Sequence, residues 1–457
     1  VQVYTFDKDF NFKDRKEEEI LFEKMKSTYS WFKFNGELYS VDAITISWNP
    51  AVPLKLKKKR ITYKYDWLFL GYHKTVEVLE KVKPRTDDGM KYYAFKYMED
   101  EITGDIYIVA GAAPGNVSKD AAKRYTDIRL LKFDSDLNRL GETKIPFEYG
   151  QEVAFAQAFA EPDPENPQAM GVTGGVLVFA PNDWKGSSAP KDKNKGNFTY
   201  VEFDKNLKLT TRESFTSPSP GWEMSGMSWM SKPDGTKDVY IYGAAALGKD
   251  KYHIYAVQSA KKKSIQLLKV NTGKIEYLTE SDLEDISSAK KIPSSNKKTI
   301  DYSGKQKFVF QFSSVSTGNI ILYAQYYSKE GQPEDYTAME FDKSGKLVAN
   351  YMRNMVLQPK ASFGIQHSLS ENKNGVFWTA FEIDESKGIQ SVAPVISKID
   401  LSNKTIGVPL VLGKVGKKPT YFVDRSFPLL NISSDQQVYF GSDKSGKNIW
   451  FCRVNLK

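Results

Sequence analysis

The sequence is poor in the residues that build reactive centres: one cysteine, Cys452, and three histidines, His73, His253 and His367, in 457 residues. A lone cysteine excludes an internal disulfide. Its place in the apolar run Ile449 to Val454 reads as a small buried hydrophobe rather than a reactive thiol. The histidines are far apart and no His or Cys pair stands at ligand spacing, so the sequence predicts no metal site, no haem and no other cofactor. No apolar run approaches the roughly 18 residues that span a bilayer as a helix, so no transmembrane segment is expected. Phosphate-binding and nucleophile motifs are missing too. Gly171 to Gly175 leads into a strand pattern rather than a helix, and Gly364 to Ser368 lacks the central serine of a nucleophile elbow. No catalytic residue is assigned. The chain opens on Val1, from which either a removed targeting segment or a trimmed end is expected.

What the sequence does have is aromatic and β-forming. Its 26 Tyr, 27 Phe and 8 Trp supply sheet-on-sheet packing. The net charge of +9 comes mostly from lysine, with clusters at Lys55 to Arg60 and Lys261 to Lys263. No nucleic-acid motif accompanies them, so they read as solvated surface, and no nucleic-acid partner is expected. The stretch Pro50 to Arg60 reads as a long projecting loop, making Lys57, Lys58, Lys59 and Arg60 candidates for protein contact.

One signature recurs: alternating apolar residues, an aromatic or aliphatic residue, then Asp or Asn and a polar turn. It ends at Asp134, Asp204, Asn271, Asp342, Asp400 and Asn455, a spacing of roughly one blade each time. Asp and Asn at such a turn bond their own backbone, which explains the choice without catalysis. Before each signature stands a second apolar run, such as Asp105 to Ala110, Val176 to Ala180 and Asp238 to Gly243, read as the inner strand. The pattern predicts an all-β chain folded as a single β-propeller over 1–457. Seven blades fit best, with eight or six as alternative counts. The units fall at Ile20–Pro84, Arg85–Tyr149, Gly150–Pro220, Gly221–Ile292, Pro293–Asn354, Met355–Lys417 and Lys418–Lys457. The last is short by one strand, which Val1 to Phe6 is expected to supply in closing the ring.

Insertions interrupt the units at Pro114 to Lys123, Glu161 to Gln168, Asn182 to Asn197 and Ser281 to Lys298; loops of that length usually carry function. A short helix is expected within Thr279 to Lys291, with Ser281 as cap and Glu284 at the capping-box position. Gly221 to Met230 holds two Trp and three Met. Core packing between blades explains it, but Trp222, if exposed, and Trp184 in the neighbouring loop are further contact candidates.

The C-terminal stretch Ser433-Ser434-Asp435-Gln436-Gln437-Val438-Tyr439-Phe440-Gly441-Ser442-Asp443, followed by Lys444 to Trp450, resembles the repeat of the TolB-type periplasmic propellers. The other units lack its Ser-Asp turn. The lysine-rich, tyrosine-rich and cysteine-poor composition is similar to that of envelope propellers of Bacteroidetes. The resemblance implies a periplasmic, outer-membrane-associated, non-enzymatic interaction subunit, its partner an outer-membrane protein or translocon subunit. The plug that closes the periplasmic side of the type IX secretion channel is one such protein. A glycan-binding or glycan-hydrolysing secreted propeller is the alternative.

Overall fold

The computed structural model describes residues 2–6, 12–17, 26–27, 30–31, 33–35, 38–46, 52–66, 71–115, 123–164, 169–181, 197–219, 221–246, 261–296, 307–327, 333–357, 367–386, 389–416, 418–423 and 429–457. These residues form antiparallel meanders set in series. The first sheet is Lys33–Asn35, Leu38–Ile46, Leu56–Asp66 and Gly71–Val82; the second is Lys91–Glu99, Ile106–Ala113, Asp127–Phe133 and Arg139–Pro146. The third (Gln151–Pro162, Met170–Pro181, Asn197–Asp204, Leu209–Thr216) and fourth (Gly221–Ser231, Lys237–Ala246, Ser264–Asn271, Lys274–Asp282) repeat the pattern. So does the fifth (Lys307–Ser314, Ile320–Tyr327, Pro333–Phe341, Leu347–Arg353). The sixth has His367–Asn372, Gly375–Ser386 and Ile389–Asp400, with two short outer strands, Thr405–Ile406 and Leu410–Val411. The seventh centres on Gln436–Asp443, between Ile449–Asn455 on one side and Tyr421–Val423 and Leu430–Ser433 in tandem on the other, and Val423 also pairs with Val392 so that it is joined to the sixth in one nine-stranded sheet. The molecule is a β-propeller.

The first strands Lys91–Glu99, Gln151–Pro162, Gly221–Ser231 and Lys307–Ser314 approach one another in succession and so line the axis. This corrects one expectation. The apolar runs read as inner strands are the second strands. Ile106–Ala113 is buried at every position because both its faces are covered by neighbouring sheets, which leaves no polar alternation. The Asp and Asn signatures close the third strands.

Consecutive sheets pack face to face, and each junction has its own apolar cluster. Ile44, Leu54 and Leu56 of the first sheet lie against Tyr92, Ile106 and Ile108 of the second. At the third and fourth sheets Phe198, Tyr200 and Phe215 meet Trp222, Met227 and Ile241. At the sixth and seventh, Phe377 and Phe381 meet Tyr439. Close approach dictates glycine in places: a Cβ on Gly175 would stand 2.5 Å from the Phe203 ring, so the run Gly171 to Gly175 serves packing.

Three further expectations are revised. Leu56–Asp66 is a strand and not a projecting loop: Leu54 N–H donates to Tyr92 O (2.7 Å), Leu56 is buried, and Glu77 and Glu80 on the next strand face Arg60 and Lys58. Opposite charges across the pair let a lysine-rich segment join a sheet. The helix is Leu283–Ser288, capped by Asp282 with Asp285 at the reciprocal position, because the preceding strand runs on past Ser281 and ends at Asp282. Finally, Gln2–Phe6 pairs with Phe12–Glu17 as a two-stranded sheet; its expected pairing with the last sheet is not among the described ones.

Candidate binding face and axial cleft

Even-stranded meanders return the chain to the end of the sheet where it began. Connections from second to third strand, and from one sheet to the next, therefore leave at one face of the propeller, and the remaining turns leave at the other. The first kind includes the connections 114–122, 182–196, 247–263 and 354–366, most of whose residues lie outside the described ones, their flanking strand ends being what the face shows. The second kind is mostly short and held by aspartate. Asp134 Oδ1 accepts the N–H groups of Asp136 (2.9 Å) and Asn138 (2.8 Å), and Asp204 Oδ1 accepts those of Asn206 and Lys208 (both 2.9 Å). Asp342 and Asp400 repeat the arrangement, and Asp443 forms the same turn between the second and third strands of the seventh sheet. Hydrogen bonds from Asn403 hold the Asp400 carboxyl below its ordinary value, and bonds from Asn448 and Ser445 do the same for Asp443. These aspartates are turn-formers.

Along the axis, a cleft of about 410 Å³ opens between the first strands of the fourth and fifth sheets. Met227, Ser228, Trp229 and Met230 line one side, and Phe312, Ser313 and Ser314 the other. Trp229 is held by an edge contact with Phe159 (centroids 5.4 Å apart), and Phe312 packs on Tyr240 (5.0 Å). None of the lining residues is ionisable. What the lining offers is aromatic and thioether surface interleaved with hydroxyls, which suits binding. The carboxyl pushed up by burial, Glu202, lies elsewhere, on the third strand of the third sheet, where the Tyr200 hydroxyl donates to it (2.5 Å). Among the described residues no cluster of His, Cys, Asp or Glu could hold a metal.

A fully enclosed ion pair joins the fifth and sixth sheets. Arg353 Nη1 donates to Glu382 Oε1 (2.8 Å), both side chains being fully enclosed. Glu382 Oε2 accepts the N–H groups of Val356 (2.8 Å) and Leu357 (2.7 Å), and the guanidinium lies 4.4 Å from the Tyr336 ring. Trp378 Nε1 donates to His367 Nδ1 (3.2 Å). Burial, with Arg353 adding repulsion, pushes the His367 imidazole down to about 3, so it is neutral.

The predicted contact residues are not brought together. Trp222 is only 4% exposed and meets Phe198 and Phe215 edge-on at 6.4 Å, so the condition for its use as a contact is not met. The same stretch does reach the axis, five residues and more further on, through Met227 to Met230. Trp184 lies outside the described residues. Lys58 is tied to Asp136 (2.6 Å), whereas Lys57 and Lys59 point to the other side of their strand. Sequence reasoning missed Phe312 to Ser314. A Phe-Ser-Ser strand end has no distinguishing pattern until its neighbour is known.

No family model matches the sequence, and no curated protein matches it. Among solved structures it is similar to the NanB sialidase of Streptococcus pneumoniae, at 9% identity and a TM-score of 0.32, over 96% of this chain and 70% of that one. It is also similar to a putative 6-phosphogluconolactonase of Bacteroides fragilis (12%, TM-score 0.28, 87% of this chain and 91% of that one). The periplasmic gluconolactonase PpgL of Pseudomonas aeruginosa gives 11% and 0.26, over 92% and 96%. At these values the likenesses carry no inference about activity.

Proposed function

We propose that the chain is a non-catalytic interaction propeller, a subunit of a bacterial envelope assembly that covers the periplasmic side of an outer-membrane protein-secretion channel. The observation that carries the interaction reading is the asymmetry of the two faces. The described strand ends that flank the longest connections open on one, while the described turns on the other are mostly short and held by aspartate. A rigid ring with few free edges and one elaborated face suits a scaffold that meets other proteins. The envelope setting rests on the TolB-like C-terminal repeat. Affinity purification of a tagged copy from detergent-solubilised native envelopes tests it. Stoichiometric recovery of a large outer-membrane protein is the expected result, and recovery of the chain alone defeats the reading.

The axial cleft favours a second reading, a glycan-binding propeller, because Trp229 and Phe312 beside Ser228, Ser313 and Ser314 match the apolar and hydroxyl faces of a sugar. A thermal midpoint raised by a panel of oligosaccharides, and not raised after Trp229→Ala, would support it.

A further inference from the structure

The first sheet sorts its charge by face. Lys57 stands directly opposite Lys81, Lys59 opposite Val78 and Ile61 opposite Val76, so these side chains share one face. The acids of the three long strands take register positions of the other face: Asp42 and Glu77 are paired with Arg60, Glu80 with Lys58, and Asp66 stands an even number of residues from Arg60. Lys55 and Lys83 lie one residue beyond the ends of the two lysine-bearing strands. Repulsion from Lys81, with burial and the charges of Lys57 and Lys83 adding to it, lowers the Lys55 ammonium below its ordinary value. The cations are therefore close enough to repel one another.

Elsewhere lysines on the sheets meet acids: Lys58 meets Asp136, Lys132 meets Asp105 (2.8 Å), Lys262 meets Glu223 (3.0 Å) and Lys404 meets Glu340 (2.8 Å). Among the described residues no acid pairs with Lys57, Lys59, Lys81 or Lys83. Nor does this face resemble a junction between sheets. Each junction in the series is filled by an apolar cluster, and the first sheet sets its own apolar residues, Ile44, Leu54 and Leu56, against the second. On the lysine face Val76 and Val78 stay 51% and 50% exposed. What the face presents is a cationic strip two strands wide, with charges about 7 Å apart along a strand and about 5 Å across.

We propose that this strip binds a linear acidic polysaccharide, laid along the strands with its sulfates or carboxylates among the ammonium groups of Lys57, Lys59, Lys81 and Lys83. A stiff sugar chain holds its anions at intervals and is narrow enough for the strip, and its ring carbons can rest on Val76 and Val78. The face offers ammonium groups without a guanidinium fork, so it selects charge and spacing rather than bidentate geometry. A planar anionic membrane, or an acidic peptide added along the strand edge, would also meet Glu77 and Glu80, exposed on the same outer strand. Single-stranded nucleic acid is held on aromatic platforms and arginine, and neither stands on this face from Lys57 to Ile61 or from Val76 to Lys81.

The test is fluorescence anisotropy of a labelled heparin octasaccharide with the whole protein, beside a neutral dextran of the same length. Binding of heparin alone is expected, its affinity falling as salt rises. Lys57→Gln/Lys81→Gln should weaken it about fivefold, two exposed ion pairs being lost. Lys261→Gln/Lys263→Gln removes the same charge from two other exposed lysines and should leave it nearly unchanged. The first variant should keep the thermal midpoint of the parent or exceed it, because a like-charge pair is gone, so lost binding is not lost fold. Absence of binding, equal weakening by both variants, or equal or tighter binding of polyglutamate, oligothymidylate or phosphatidylglycerol vesicles would each overturn the proposal. Loss of heparin binding on Trp229→Ala would place the glycan in the axial cleft and overturn it too. Envelope capture is a separate measurement, and its failure leaves this site standing.

Discussion

At the scale of the residue, backbone strain and burial are traded in ways that single substitutions expose. Leu137 and Leu207 sit at φ 66° and 67°, in the left-handed region that costs a non-glycine residue about 1–2 kcal/mol, and both are almost fully buried. They hold because each side chain fills an inter-sheet cluster. Leu207 Cδ1 lies 3.3 Å from where a Cβ on Gly141 would stand. Leu207→Ala loses the burial and keeps the strain, while Leu207→Gly loses the burial and relieves the strain. Denaturant titration should therefore find the alanine variant less stable than the glycine variant by about 1 kcal/mol. His367 shows the electrostatic counterpart. Its folded value of about 3 lies below the ordinary 6.5, so the unfolded chain takes up the proton first as pH falls. Its contribution is complete above pH 6.5 and is lost progressively between 6.5 and 3. Urea midpoints measured across that range should fall more steeply for the parent than for His367→Gln.

At the scale of the element, the Arg353–Glu382 pair ties the end of one sheet to the second strand of the next. Glu382 also satisfies two backbone N–H groups, so removing it orphans a buried guanidinium and two donors together. Glu382→Leu should cost about 3–5 kcal/mol by denaturant unfolding. Arg353→Met/Glu382→Leu, which removes both charges, should recover part of that loss, and a double-mutant cycle measures the coupling. Much at this scale was legible beforehand. Asp204 and Asp342 announced their turns because a carboxylate that bonds its own backbone is a local device. The helix was expected within Thr279 to Lys291 with Ser281 as cap; it is shorter and its cap is one residue later, because the strand ends at Asp282, which local pattern does not reveal. The Lys55 to Arg60 run was misread because its strand character depends on Glu77 and Glu80, some twenty residues away.

At the scale of the whole molecule, stability is shared between neighbouring sheets through the junction clusters, as in other repeat architectures. A chain lacking 418–457 would uncover Phe377 and Phe381, now 5% and 7% exposed. It should bind a hydrophobic dye and unfold with a smaller denaturant slope than the full chain. The sequence by itself determined the all-β class and the turn that ends each third strand. Those follow from alternation and turn chemistry, which act over a few residues. The tertiary structure alone decided which strands line the axis, that Trp222 packs between sheets while Trp229 and Phe312 line opposite sides of a cleft, and that Lys57 and Lys81 stand opposite one another. Each of these depends on which residues distant in the chain are brought side by side, and a sequence pattern that repeats from sheet to sheet does not distinguish among the partners it makes available.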